Sequence, residues 1–188
     1  MLILASKSPR RVEILESLGF SFECCPTKID ENYPKQLKAS KVAGYLADKK
    51  ANASINEHPN DVVIASDTVV VLKHKIYGKP KNRDDAKKML KELSGKKHVV
   101  YTGVSIKSKN KNVSFTQKTY VYFSKISQSE IDDYIASREC DDKAGAYAIQ
   151  GKGCRFIKKI KGDYYTVMGL PAAKVYDELK EIEKMGDI

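Results

Sequence analysis

Short apolar runs of strand type alternate with stripes of helical period from one end of the chain to the other, and that alternation restricts the fold more than any other feature. Leu2 to Ala5 reads as a buried strand. Ser8-Pro9 then supplies an N-cap and first-turn pair for a helix whose stripe is Ile14, Leu15 and Leu18 and whose stop is Gly19. A second amphipathic helix is expected from residue 35 to about 54, with Ala39, Val42, Ala43, Leu46 and Ala47 in line. Val62 to Ala65 reads as a strand, broken by Ser66-Asp67-Thr68 and resumed by Val69 to Leu72. A helix from about Asp84 to Leu93 is closed by Gly95, strands follow near 99–106 and 115–124, and Ser127 with Glu130 forms a capping box that opens another helix. A hairpin about Gly162-Asp163 is expected before a last helix from Pro171 to about Lys184. This order predicts an α/β fold of mixed α+β character, a mixed β-sheet with helices packed on it.

The chain has 188 residues, no Pro/Gly/Ser-rich linker and no internal repeat, so a single domain over 1–188 is expected, large enough to bury a core without disulfides or structural metals. Hydrophobic residues make up 41% and charged residues 31%, which excludes disordered and low-complexity classes. No window approaches the roughly 18 apolar residues of a membrane span, and Met1 to Ala5 runs into Ser6-Lys7-Ser8 without a signal-peptide core. A cytoplasmic protein without membrane association is therefore expected. Cys24 and Cys25 are adjacent while Cys140 and Cys154 lie far away, a pattern of free thiols that matches neither a disulfide framework nor a zinc site.

The formal net charge is +10, from 34 Lys plus Arg and 24 Asp plus Glu. Residues 73 to 125 hold 15 basic and three acidic residues, a net of +12, so the excess is local. Nearly all of it is lysine, whereas readers of base edges depend on the bidentate arginine fork. The segment reads as a solvated lysine face, with no specific nucleic acid expected as a partner.

Chemistry concentrates at a few other places. Ser6-Lys7-Ser8-Pro9-Arg10-Arg11 puts hydroxyls and two arginines at a helix N-terminus, where free backbone N–H groups and the helix dipole favour an anion. No Walker A sequence is present. Asp67 lies between two apolar strand runs, where a carboxylate is costly without a partner, and is a candidate for holding or deprotonating a metal-bound water. Lys50 falls on the apolar stripe of its helix, seven residues beyond Ala43, as expected of a lysine that snorkels or meets a fixed anion. Asp30-Glu31 offers paired carboxylates in a polar loop, and Gly78-Lys79-Pro80 a lysine on a constrained turn. Cations for phosphates together with two acidic sites for a divalent ion form the set that phosphoanhydride hydrolysis requires.

These residues carry a resemblance. Leu4-Ala5-Ser6 with Ser8-Pro9-Arg10-Arg11, Asp30-Glu31, Ser66-Asp67-Thr68, Gly78-Lys79-Pro80, Thr102-Gly103-Val104, Lys143 to Gly151 and Val167-Met168-Gly169-Leu170-Pro171 together resemble the Maf family of nucleoside-triphosphate pyrophosphatases, relatives of the inosine-triphosphate pyrophosphatases. The resemblance implies an elongated twisted sheet with two lobes and a cleft. It also implies hydrolysis of a nucleoside triphosphate to the monophosphate and pyrophosphate with Mg²⁺ or Mn²⁺. By position, Asp67 looks like the proton acceptor, Glu31 and Asp67 like the metal pair, and Ser6, Arg11, Lys50 and Lys79 like substrate-binding residues. Arg10, Thr68 and Gln150 match positions associated with base choice, and Thr68 resembles the branch acting on dTTP and UTP. The amide of Gln150 suits the edge of thymine or uracil. A branch acting on 7-methyl-GTP is the nearest alternative, and a nucleic-acid-binding or cell-division regulatory protein is the alternative of another class. The family also implies a possible homodimer.

Overall fold

The computed structural model describes residues 1–188, and its centre is a seven-stranded sheet. The strands are β1 (Leu2–Leu4), β2 (Phe22–Cys24), β3 (Val62–Leu72), β4 (Lys75–Tyr77), β5 (Lys97–Lys107), β6 (Asn112–Phe123) and β7 (Ile157–Lys161). The helices are α1 (Pro9–Ser17), α2 (Ala39–Glu57), α3 (Arg83–Leu93), α4 (Gln128–Ala136), α5 (Tyr164–Met168) and α6 (Ala172–Lys184). Strand order is β2-β1-β3-β5-β6-β7, with β4 beside β3. β1 runs parallel to β2 and β3, while β4 is antiparallel to β3 and β7 to β6, so the sheet is mixed.

The chain divides into two compact units, one of Met1–Asp67, Thr102–Gln117 and Gly169–Ile188, the other of Thr68–Tyr101 and Lys118–Met168. In the first, Ile3, Ala5, Val63 and Ala65 of the central strands pack with Ala51 of α2, and Cys25 and Ile55 close the edge. Ile3 and Val63, so buried, each contribute about 1.5–3 kcal/mol before entropy is counted, and the small alanines let the helix approach the strands closely. The second unit is built on rings: Phe123, Tyr147 and His98 meet edge to face, and Tyr134 and Phe156 continue the cluster.

Several sequence expectations are met at the residue level. Pro9 opens α1, Gly19 ends its C-terminal turn at φ 81°, and Ser127 and Glu130 form the reciprocal capping box of α4. Others are corrected. α2 begins at Ala39 rather than 35, because Pro34 to Lys38 are spent on a turn in which Leu37 N–H donates to Pro34 O. Ser8 occupies the N-cap of α1 but makes no side-chain cap, and it is the hydroxyl of Ser6 that accepts from Ser8 N–H. No hairpin forms at Gly162-Asp163. Asp163 instead accepts from Thr166 N–H and starts the short α5. Most consequential, β3 is continuous through Ser66-Asp67-Thr68. Asp67 therefore sits in mid-strand, beyond the stretch Val62–Ile64 that pairs with β1 and before the stretch Val70–Leu72 that pairs with β4.

Candidate active site

Gly103 of β5 sets the position of α2. A Cβ built at Gly103 would lie 2.4 Å from the backbone of Ala43 and Gly44, so helix and strand touch backbone to backbone where only glycine fits. Further along the same helix, Lys50 lies inside the unit with 13% of its side chain exposed. Its ammonium contacts Asp67 Oδ1 at 2.6 Å and Glu31 Oε1 at 2.9 Å.

Asp67 is nearly buried, and burial is the largest influence on its carboxyl, raising its pKa from the ordinary aspartate value. Lys50 and Arg11 pull the other way, and the charge of Glu31 adds to the rise. Glu31 itself stands in the exposed loop before α2. That loop is tethered by Lys49, whose ammonium donates to the carbonyl of Asp30 at 2.5 Å, and by Asn32, which donates to the Asp30 carboxylate.

Arg11, on the first turn of α1, is held at two points of its fork. Nε donates to Gly169 O at 2.9 Å, and Nη1 donates to Ser6 Oγ at 3.2 Å. Burial pushes its pKa down, with Asp67 opposing. Gly169 O also accepts from the wholly buried hydroxyl of Ser66 at 2.8 Å, so one carbonyl ties the arginine to the residue before Asp67. Gly169 has φ 112°, a conformation suited to glycine. Arg10 is half-buried beside Arg11.

The first unit thus gathers Ser6, Arg11, Glu31, Lys50 and Asp67. The remaining residues singled out in the sequence belong to the second unit. Thr68 is half-buried in β3. Lys79 is exposed on the turn after β4, and that turn is fixed by Gly145 N–H donating to Gly78 O. Gln150 is half-buried at the head of the 3₁₀ segment Gly151–Phe156. Glu139 accepts there from Lys152 N–H and Gly153 N–H, and Tyr134 OH donates to the same carboxylate. The supporting bonds of Ser66, Gly169, Lys49 and Glu139 are not legible in the sequence, because one partner in each is a backbone carbonyl or N–H that no side-chain pattern exposes.

No group of three or more His, Cys, Asp or Glu converges as a metal cage, and all four cysteines are free thiols. Two carboxylate oxygens do converge on one cationic centre, the Lys50 ammonium. That donor set fits a hard divalent ion that completes its shell with phosphate oxygens and water.

A profile of the Maf-like protein family matches residues 1–182. The chain belongs to that family. A dTTP/UTP pyrophosphatase of Bacillus mycoides (strain KBAB4) is 47% identical to this Maf-like chain over 182 residues, covering 97% of it and 95% of the relative. A dTTP/UTP pyrophosphatase of Bacillus cereus is 46% identical with the same coverage. Among solved structures, the Staphylococcus aureus Ham1 protein superposes with a TM-score of 0.51 at 12% identity, covering 100% of this chain and 99% of that one. A HAM1 protein from Coxiella burnetii gives a TM-score of 0.51 at 10% identity, covering 98% of each chain. These two share the fold with this Maf-like protein. None of its helices is long and apolar enough to cross a membrane.

Proposed function

We propose that this Maf-like protein hydrolyses dTTP and UTP between the α and β phosphorus atoms, releasing the nucleoside monophosphate and pyrophosphate with the help of a divalent cation. The observation that carries the reading is the Lys50 ammonium shared between Asp67 and Glu31, with the anchored Arg11 also supplying positive charge to Asp67. The names of the relatives supply the substrate class.

Glu31 and Asp67 would hold the ion, which supplies charge neutralisation and Lewis-acid polarisation of phosphoryl oxygens. Arg11 offers a planar donor fork pinned by Gly169 and Ser6, so little of its order remains to be lost when a phosphate binds. Lys50 offers a compact charge that phosphate oxygens can share with the two carboxylates. The Asp67 carboxylate takes the proton from the attacking water as the new P–O bond forms and pyrophosphate leaves. Without a bound cation, burial raises its pKa above that of an ordinary aspartate, the direction that favours proton acceptance. The reading also gives Ser6 and Lys79 phosphate contacts and gives Arg10, Thr68 and Gln150 the choice of base. It places the enzyme in the cytoplasm, where nucleotides are free and thiols stay reduced.

The deciding experiment is pyrophosphate release by the purified protein from dTTP, UTP and 7-methyl-GTP with Mg²⁺ or Mn²⁺. The reading expects kcat/KM for dTTP and UTP to exceed that for 7-methyl-GTP by more than about tenfold, a difference of about 1.4 kcal/mol. Equal values, or a preference for the methylated purine, would refute the base assignment.

A further inference from the structure

The strands of the second unit carry a surface that hydrolysis does not use. Along β6, Thr119, Val121 and Phe123 are buried, while Lys118 is exposed and Tyr120 and Tyr122 are half-buried. The latter set is therefore the outer face of the sheet. β7 lies antiparallel to β6 with Tyr120 opposite Lys161 and Tyr122 opposite Lys159, and residues directly opposite share a face.

From β5, Lys97 Nζ stands 5.4 Å from the centroid of the Tyr120 ring, and Lys118 Nζ stands 5.6 Å from it. Lys159 Nζ is 5.9 Å from the centroid of Tyr122. A row Lys97, Tyr120, Lys161 thus crosses three neighbouring strands, and Tyr122 with Lys159 forms the next row. β5, β6 and β7 contain no Asp or Glu, and the sequence has none between Glu92 and Glu130. A surface that serves solubility alone intersperses both signs of charge. Here one sign stands alone, and it flanks aromatic rings.

We propose that this face binds single-stranded nucleic acid without reading its sequence, with bases on Tyr120 and Tyr122 and phosphates neutralised by Lys97, Lys118, Lys159 and Lys161. Every base has a ring face that a tyrosine can meet, and an unpaired strand presents it. Lysine in place of arginine suits neutralisation of a backbone rather than readout of base edges. Duplex DNA offers the phosphates but keeps its ring faces stacked inside.

Fluorescence anisotropy with the full chain and a labelled oligothymidylate of about 16 nucleotides tests the proposal. Each phosphate contact contributes about −0.7 to the slope of log K against log salt, so Lys118→Gln/Lys159→Gln should make the slope shallower by about 1.4. Pyrophosphate release should not change in that variant, because neither lysine is assigned to the hydrolytic site. Tyr122→Val should weaken binding by about 5- to 150-fold, the loss expected of one base-stacking ring. If that variant does not fold, the two exposed lysines carry the test alone. An unchanged slope in the lysine variant, equal affinity for a duplex of the same length, or displacement of the oligonucleotide by dTTP would overturn the proposal. So would a change of sedimenting mass in the lysine variant, which would give the face to a second copy of the chain.

Discussion

Lys50 on α2 and Asp67 in mid-β3 meet at 2.6 Å, each with only 13% of its side chain exposed, so a buried carboxylate is kept beside a cation that opposes the effect of its own burial. Because burial wins, the acidic limb of kcat/KM should lie above the ordinary aspartate value of 3.8. Lys50→Gln removes the largest opposing influence, so the limb should move further upward while KM for the triphosphate rises. A pH–rate profile of the two proteins checks both effects, and an unmoved limb would remove Asp67 as the titrating base.

Asp67→Asn should abolish pyrophosphate release without loss of fold. The folded chain holds the Asp67 proton more tightly than the unfolded chain does, so the contribution to stability is present at low pH and lost as pH rises through the raised value. At neutral pH the carboxylate therefore costs stability. The inactive variant should melt above the native protein there, a difference that calorimetry at neutral and acidic pH would measure.

Arg11→Lys should fail to rescue activity. A lysine has one donor centre and cannot span Gly169 O and Ser6 Oγ as Nε and Nη1 do. A loss of at least about tenfold in kcat/KM, or about 1.4 kcal/mol, is expected, with little change in melting temperature. Equal loss in both would mean that the fork serves folding rather than substrate.

Gly103→Ala tests how α2 is placed. Its methyl would meet the Ala43 and Gly44 backbone at 2.4 Å, so α2 must shift from β5 and carry Lys50 with it. Overpacking of this kind costs about 1–3 kcal/mol, and activity should fall together with the melting temperature.

In the second unit, burial lowers the pKa of His98 to about 4, while its Nε2 lies 2.8 Å from the Tyr147 hydroxyl. The unfolded histidine takes up its proton near 6.5, so the stability it contributes is full above that pH and is lost as pH falls toward 4. The loss amounts to about 3 kcal/mol. His98→Gln should flatten this part of the stability profile measured by urea unfolding between those pH values.

The fold class was legible because period and punctuation agree in most elements: Pro9 and Gly19 bracket α1, and the Ser127 and Glu130 box marks α4 within a residue. The chemical residues were legible because charge in an apolar context is conspicuous, as with Asp67 in β3 and Lys50 on the buried stripe of α2. Their connection was not. Asp67 looked like a break because a carboxylate disfavours a strand interior, and only the ammonium brought to it by α2 makes the continuous strand tolerable. The Gly162-Asp163 pair resembled a hairpin turn because local turn chemistry is shared by helix starts, and the choice was made by the Asp163 cap on Thr166.

The carbonyl that orients Arg11 belongs to Gly169, 158 residues further along the chain. The hydroxyl that holds Nη1 is Ser6, five residues away, so one end of the Arg11 fork is anchored locally and only the Nε end waits for the segment Gly169–Ile188 to join the first unit. A polypeptide cut short before residue 169 therefore carries the acidic residues, Lys50 and the Ser6 end of the Arg11 clamp without the carbonyl that fixes its other end.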